Sequence, residues 1–361
     1  MSNIWGKAIQ ISIFGESHGK GIGIVIDGLP PGEIIDMDHI SLEMKRRAPG
    51  SSDLTTPRKE TDHVEIISGM WKGRTTGAPL CGIISNENTR STDYEEELAR
   101  PGHADLTAYI KYGGYNDYRG GGHFSGRITA PLTFAGAIAK QLLGKKGITI
   151  GAHIMDIAGV KDRGFEGMVE AKDLKTLTQS AFPLLNNEKE TPMKEAILKA
   201  KEQGDSVGGI IECAAVGLSP GIGSPFFESV ESRISSMMFS IPAVKGIEFG
   251  SGFDFASMRG SQANDPFAIE EDKIVTLTNH NGGINGGITN GMPLIFRVVI
   301  KPTASIGIRQ KTVNLKTMTD SEISVQGRHD PCIVIRAVPV VEAGLALCLL
   351  DLICREGWGQ S

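Results

Sequence analysis

The sequence predicts an α+β fold organised as one compact unit spanning residues 1–361. Three observations carry this expectation. Helical and strand-like segments are mixed throughout the chain, one strand–turn–helix pattern occurs twice, and no Pro- or Ser-rich linker or break in composition divides the sequence.

The strands are expected at 8–14, 23–27, 64–67, 148–157, 209–215, 274–278 and 294–300, short apolar runs bounded by turn formers. The helices carry terminal signals. Residues 129–143 begin with a capping Thr and a first-turn Pro131, carry an apolar stripe and end at Gly144. Residues 191–203 have Pro192 just inside and Gly204 just past the end, and 224–239 pair Ser224 with Pro225. The last, 341–355, is rich in Ala and Leu and reads as buried on most faces.

The repeated pattern is G-I-G-I-V-I-D-G-L-P-P-G-E, leading to a helix that ends in M-K-R-R, and V-G-G-I-I-E-C-A-A-V-G-L-S-P-G-I-G, leading to E-S-V-E-S-R-I-S-S-M-M. Two such units half a chain apart predict a duplication with pseudo-twofold symmetry.

Composition narrows the function. A hydrophobic content of 40% supports a sizeable core, and a net charge of −5 argues against a broad nucleic-acid surface. No apolar run approaches the roughly 20 residues that span a bilayer, and the N-terminus lacks the pattern of a signal peptide. No membrane association and a cytoplasmic location are therefore expected. Five cysteines, an odd number without C-x-x-C spacing, read as reduced thiols and not as a metal site. The 46 glycines against 6% aromatics point to many close backbone approaches.

Four polar clusters stand out. Gly15-Glu16-Ser17-His18-Gly19 follows a strand, where α/β sites tend to lie. Arg100-Pro101-Gly102-His103-Ala104-Asp105 sets a second His beside an Arg and opens a short helix that Asp105 is expected to cap. In Tyr118 to Arg127, Gly120-Gly121-Gly122 are expected to bring backbone N–H groups against a phosphate, with Ser125, Arg127 and the following helix N-terminus adding donors. Near the C-terminus lie Lys301-Pro302-Thr303-Ala304-Ser305 and Arg328-His329-Asp330-Pro331-Cys332, with the glycine loop 281–287 before them. Each alone could be a solvated turn; together, on an acidic chain, they favour a phosphate-bearing ligand. No Walker lysine or magnesium-binding carboxylate cluster supports a nucleotide-dependent phosphotransferase, and a ligand-binding regulatory module would leave the histidines idle.

In order, G-E-S-H-G, R-P-G-H-A-D, Y-R-G-G-G with S-x-R, K-P-T-x-S and G-R-H-D-P-C resemble the signature set of the chorismate synthases, from Phe14 nearly to the C-terminal helix. The resemblance implies a β-α-β sandwich of two pseudo-symmetric halves with helices between outer sheets. It implies a reduced-FMN-dependent anti 1,4-elimination of phosphate from 5-enolpyruvylshikimate 3-phosphate, giving chorismate for aromatic amino acid biosynthesis. It also implies a homotetramer, and NADPH as a candidate reductant of the flavin; the short chain without large insertions favours an external reductase.

By similarity His18 protonates the departing phosphate, His103 protonates the reduced flavin or controls its charge, and Asp330 helps to move the N5 proton, with Ser17 and Ser125 relaying protons or fixing orientations. Arg46, Arg47, Arg100 and Arg127 are the implied substrate clamps, because a planar guanidinium matches carboxylate and phosphate. The implied flavin contacts are His123, Phe124, Ser125, Pro242, Ala243, Gly286, Lys301, Pro302, Thr303, Ala304, Ser305 and Arg328. Two departures from the family pattern occur. Asp53 stands where many relatives carry Arg, with Arg46, Arg58 and Lys59 nearby to compensate, and the usual R-S-S-A-R is His123-Phe124-Ser125-Gly126-Arg127.

Overall fold

A layer of helices separates two five-stranded antiparallel sheets in the computed structural model, which describes residues 3–50, 54, 60–87, 94–165, 169–325 and 330–358. The first sheet runs in the order Ile4–Trp5, Gln10–Gly15, Gly21–Asp27, Leu80–Ser85, Glu65–Ser68; the second runs Val244–Phe249, Leu294–Ile300, Gly209–Val216, Thr149–Ile157, Val160–Lys161. The helices are α1 (Met37–Arg47), α2 (Asp105–Tyr112), α3 (Thr129–Lys145), α4 (Ala171–Gln179), α5 (Glu190–Glu202), α6 (Val230–Met238), the short α7 (Gly260–Ala263) and α8 (Val334–Gly357).

The repeat in the sequence is the repeat in the fold. Each copy supplies the central strand of its sheet, Gly21–Asp27 in one and Gly209–Val216 in the other. The order strand, central strand, helix, edge strand, inner strand, helix then recurs: Gln10–Gly15 corresponds to Thr149–Ile157, α1 to α6, Glu65–Ser68 to Val244–Phe249, Leu80–Ser85 to Leu294–Ile300, and α3 to α8. Even the turns match. Gly28 and Gly217 leave the central strands with φ of 86° and 84°, and a Cβ on either would collide with a backbone carbonyl just before the neighbouring strand, Ala8 O at 2.0 Å and Gly147 O at 2.4 Å.

α3 and α8 pack on one another at the centre, where a Cβ on Gly136 would stand 2.2 Å from Cβ of Ala343. Close packing of this kind leaves no room for a larger residue. One continuous hydrophobic cluster joins the inner faces of both sheets to α1, α3, α6 and α8. On the second sheet, alternate residues turn outward: Ala214 and Ile295 pack beneath Leu174 and Leu177 of α4, while Cys213 and Phe296 face the main core. All five cysteines are free thiols.

Several boundaries differ from expectation. α8 starts at Val334 and accepts Pro339 inside its second turn, at the loss of one i→i−4 bond. It is long and apolar enough to cross a membrane, but 89% of that apolar window is buried between the sheets. α6 begins five residues beyond Pro225, capped by Ser229, whose Oγ accepts from Ser232 N at 3.0 Å. Strands at 80–85 and 244–249, both members of the main sheets, are not expected from the sequence.

Candidate functional site

The first turns of α3 and α8 open onto one end of the sandwich, and the polar clusters gather there. Gly15, with φ of 95°, ends a strand so tightly that a Cβ would lie 2.4 Å from Gly21 O. The turn sets Ser17 inward, where its N–H donates to Gly122 O at 3.1 Å. The glycine run meets both histidines. A Cβ on Gly120 would lie 2.3 Å from His18 Cε1 and 3.0 Å from Ser17 Oγ, and one on Gly121 would lie 2.8 Å from His103 Cε1 and 3.0 Å from its Nε2.

Gly120 and Gly121, with φ of 60° and 83°, thus form a thin strip of backbone against the two imidazoles. Sequence reasoning had assigned these glycines to phosphate. Instead, the Gly121 N–H is taken by Tyr118 O at 3.1 Å, and the missing side chains make room for His18 and His103.

His103 is oriented by Asp105. Its Nδ1 lies 2.7 Å from Asp105 Oδ1, which turns Nε2 toward the glycine strip. Asp105 was expected to cap α2, but the cap is Ala104 without a side-chain bond, and the carboxylate is spent on Arg100 and His103 instead. Burial opposes its ionisation, yet hydrogen bonds from Arg100 and His103 overcome that and hold its pKa well below the ordinary carboxylate range. Arg100 also donates to Ser305 Oγ at 3.1 Å, and Lys301 Nζ donates to Gly102 O, so the R-P-G-H-A-D and K-P-T-x-S segments are bound together.

A second set surrounds Asp62. Arg47 Nη1 lies 2.6 Å from its Oδ2, and Arg127 Nη1 donates to its Oδ1. Arg47 also reaches both helix N-termini: its Nε donates to Thr129 Oγ1 at 3.3 Å, and its carbonyl accepts from Arg336 Nε at 3.1 Å. Arg336 in turn donates to Asp330. Burial pushes the Arg47 pKa down to about 9, opposed by Asp62 and reinforced by the charges of Arg336 and Arg127. At Asp62 burial raises the pKa, but the two guanidiniums outweigh it and lower it. The three cations are matched by Asp62, Asp330 and Glu60, whose Oε2 lies 3.8 Å from Arg127 Nη2, and the two helix N-termini beside them favour an anion.

The remaining candidates fall as follows. His123 Nδ1 lies 2.8 Å from Gly15 O, Phe124 packs on Tyr112 at 6.2 Å between ring centroids, and Ser125 Oγ accepts from Arg127 N at 3.3 Å. Ala243 O accepts from Lys301 N at 2.9 Å, with Pro242 exposed beside it. Pro302 is exposed, and Ala304 faces Gly102. The Thr303 hydroxyl is buried without a partner among the described residues.

Arg46, read as a substrate clamp, is turned inward, with Nη1 2.6 Å from Glu342 Oε2 and 3.0 Å from Glu43 Oε2. Gly286 is not brought to Lys301: it lies exposed in the hairpin whose Gly287 O accepts from Val230 N at the start of α6, whereas Ala243 and Lys301 lie beyond the end of that helix. Arg328, Asp53, Arg58 and Lys59 lie outside the described residues.

A cavity of about 220 Å³ adjoins Arg100 and Asp105, walled by Tyr94, Tyr109, Tyr118, Leu98 and Val325. Sequence reasoning missed Asp62, Asn86 and Arg336, polar residues outside any glycine-rich cluster, and it missed the role of Asp105. No group of three or more His, Cys, Asp or Glu residues among the described residues is placed to hold a metal ion.

The chorismate synthase family model matches residues 9–354. A chorismate synthase of Dehalococcoides mccartyi is 48% identical over 99% of this chain and 98% of its own length. That of Thermococcus kodakarensis is 46% identical over 98% of both. A crystal structure of chorismate synthase superposes with a TM-score of 0.78 at 29% identity, over 98% of this chain and 93% of that one.

Proposed function

As the chain belongs to the chorismate synthase family and is thereby a lyase, we propose that it converts 5-enolpyruvylshikimate 3-phosphate to chorismate and phosphate by an anti 1,4-elimination that depends on reduced FMN. The observation that carries this reading is the pairing of His18 and His103 against one strip of glycine backbone, beside the buried Arg47–Asp62–Arg127 cluster.

Arg47 and Arg127 hold the anionic substrate. Asp62 and Glu60, the latter 3.8 Å from Arg127, balance the two guanidiniums, and the neighbouring N-terminus of α3 adds the positive potential that favours a bound phosphate or carboxylate. His18 gives its proton to the phosphate as the C–O bond breaks, a transfer suited to an imidazole near neutral pH. Ser17, buried beside it, fixes the turn and relays the proton. Asp330, anchored by Arg336, serves the second proton movement.

The chemistry that reduced flavin would supply there is electron density to the substrate and an acceptor for its C6 hydrogen. The segment 301–305 fits its phosphate: Thr303 offers a buried hydroxyl, and Lys301 and Ser305 stand on the same turn. Phe124 and Ser125 would contact the cofactor from the other side of the glycine strip. Asp105 holds His103 with Nε2 presented, so that His103 sets the protonation of what lies against it.

The same reading includes a homotetramer. Phe226, Phe227, Phe253, Phe267, Ile269 and Ile274 are each more than 70% exposed in the single chain, a large apolar surface for a soluble monomer.

The histidines test the mechanism. With reduced FMN under anaerobic conditions, His18→Ala and His103→Ala each slow phosphate release by about 10-fold or more, given general acid–base contributions of ~10²–10⁴. Unchanged rates in both variants overturn their assignment.

A further inference from the structure

The site contains a residue that connects its two functional groups. Asn86 follows the strand Leu80–Ser85, next to the start of the paired strand Gly21–Asp27. Its Nδ2 donates to Glu16 O at 2.9 Å and to Gly19 O at 3.0 Å, the carbonyls that flank Ser17 and His18. Its backbone N–H donates to Lys20 O at 3.2 Å. On its other side, Oδ1 accepts from Arg127 Nε at 3.1 Å. The amide orientation follows from the partners, because a guanidinium only donates and a carbonyl only accepts.

We propose that Asn86 is a positioning residue that fixes the turn carrying Ser17 and His18 and locks it to Arg127, so that the proton donor and the anion clamp keep one geometry. This rests on the roles given above to His18 and Arg127. Three hydrogen bonds from one residue span the whole turn from Glu16 to Lys20. The turn is otherwise held mainly by Gly19 N to Glu16 O at 3.1 Å and Ser17 N to Gly122 O at 3.1 Å. Without the Asn86 amide, the backbone that aims His18 loses its tie to the strand beside it, and Arg127 loses the acceptor that sets the tilt of its Nε.

The two faces of Asn86 can be separated chemically. Asn86→Asp keeps an acceptor for Arg127 but sets a carboxylate against two carbonyl oxygens, so only the turn is released. Asn86→Ala releases both sides. In steady-state assays with reduced FMN and substrate, Asn86→Asp lowers kcat by about 10- to 100-fold with KM within about twofold, as a misplaced catalytic group does. Asn86→Ala lowers kcat comparably and raises KM as well.

The cycle with His18 decides the matter. If Asn86 acts through His18, the double variant Asn86→Ala/His18→Ala is no slower than His18→Ala alone. Multiplying losses in the double variant, or wild-type kcat in Asn86→Asp, overturns the proposal. Where Asn86→Ala does not fold, Asn86→Asp enters the same cycle. A wild-type protein that releases no phosphate contradicts the proposed reaction instead, and the two failures are thereby distinct.

Discussion

Arg47 Nη1 lies 2.6 Å from Asp62 Oδ2, and the same carboxylate accepts from Arg127, with all three side chains closed off from solvent. Asp62 therefore joins two cations at the first turn of α3, and a second buried carboxylate, Glu60, stands 3.8 Å from Arg127. Asp62→Ala leaves two buried guanidiniums facing each other, and loss of one partner of a buried pair costs ~3–5 kcal/mol. Chemical unfolding of the variant measures the loss. Inorganic phosphate stabilises the variant more than the wild type, because it replaces the missing anion; equal stabilisation of both contradicts this account of the pocket.

Asp105 makes no expected contact with substrate, yet it orients His103. Asp105→Asn removes the charge that anchors His103 and Arg100 while keeping shape, and kcat falls by about 10-fold or more. Arg100, which the same carboxylate holds, is loosened as well, so substrate KM rises. A variant with normal kcat shows that His103 needs no orientation.

Gly121 is sensitive for reasons of space and of backbone geometry. With φ of 83° and only 2.8 Å from a built Cβ to His103 Cε1, Gly121→Ala strains the turn and pushes the imidazole aside. The expected outcome is a stability loss of ~1–3 kcal/mol and a rate loss of about 10-fold or more. Gly126→Ala is the control, since no atom lies within 4 Å of its Cβ position.

Two buried networks shape the pH dependence of stability in opposite directions. At Glu342 burial raises the pKa, but Arg46 and Lys140 outweigh it and bring it from 4.5 to about 2. Its contribution is complete above pH 4.5 and is lost as pH falls toward 2. His153 is buried 2.9 Å from Glu212 and 3.7 Å from Asp162; burial lowers its pKa, but the carboxylates raise it above its ordinary 6.5. Its contribution is complete below pH 6.5 and is lost as pH rises through the raised value. Urea midpoints across pH therefore have a shallower acid-side slope in Glu342→Gln and a shallower alkaline-side slope in His153→Gln.

Strong local signals were legible in the sequence. The strand, G-L-x-P-G turn and helix repeat marks the two halves because each copy must build the same central strand and release the chain through a left-handed glycine. The strand at 80–85 was hidden by Gly82, which breaks the apolar run because Phe134 of α3 occupies the place of its side chain; a Cβ there would lie 2.5 Å from the ring. The start of α6 was misread because Ser224-Pro225 carries the same cap signal as Ser229, and only tertiary packing chooses between them.

The site was legible in its clusters and not in its connections. His18, His103, Arg100 and Arg127 sit in glycine-rich segments that a reader of sequence singles out. Asp62 and Asn86 sit in ordinary polar stretches without a glycine signal, and their importance comes from contacts 65 and 41 residues away along the chain. Arg46 and Arg47 are neighbours with similar prospects in sequence. The helix sends one inward to Glu342 and the other to Asp62, because successive residues on α1 point about 100° apart.

The most direct test of the account is the stoichiometry of turnover. Under anaerobic conditions, with FMN kept reduced, the purified protein should release phosphate and form chorismate in equal amounts from 5-enolpyruvylshikimate 3-phosphate, and do neither with oxidised FMN. Phosphate release that proceeds without flavin or without chorismate contradicts the account.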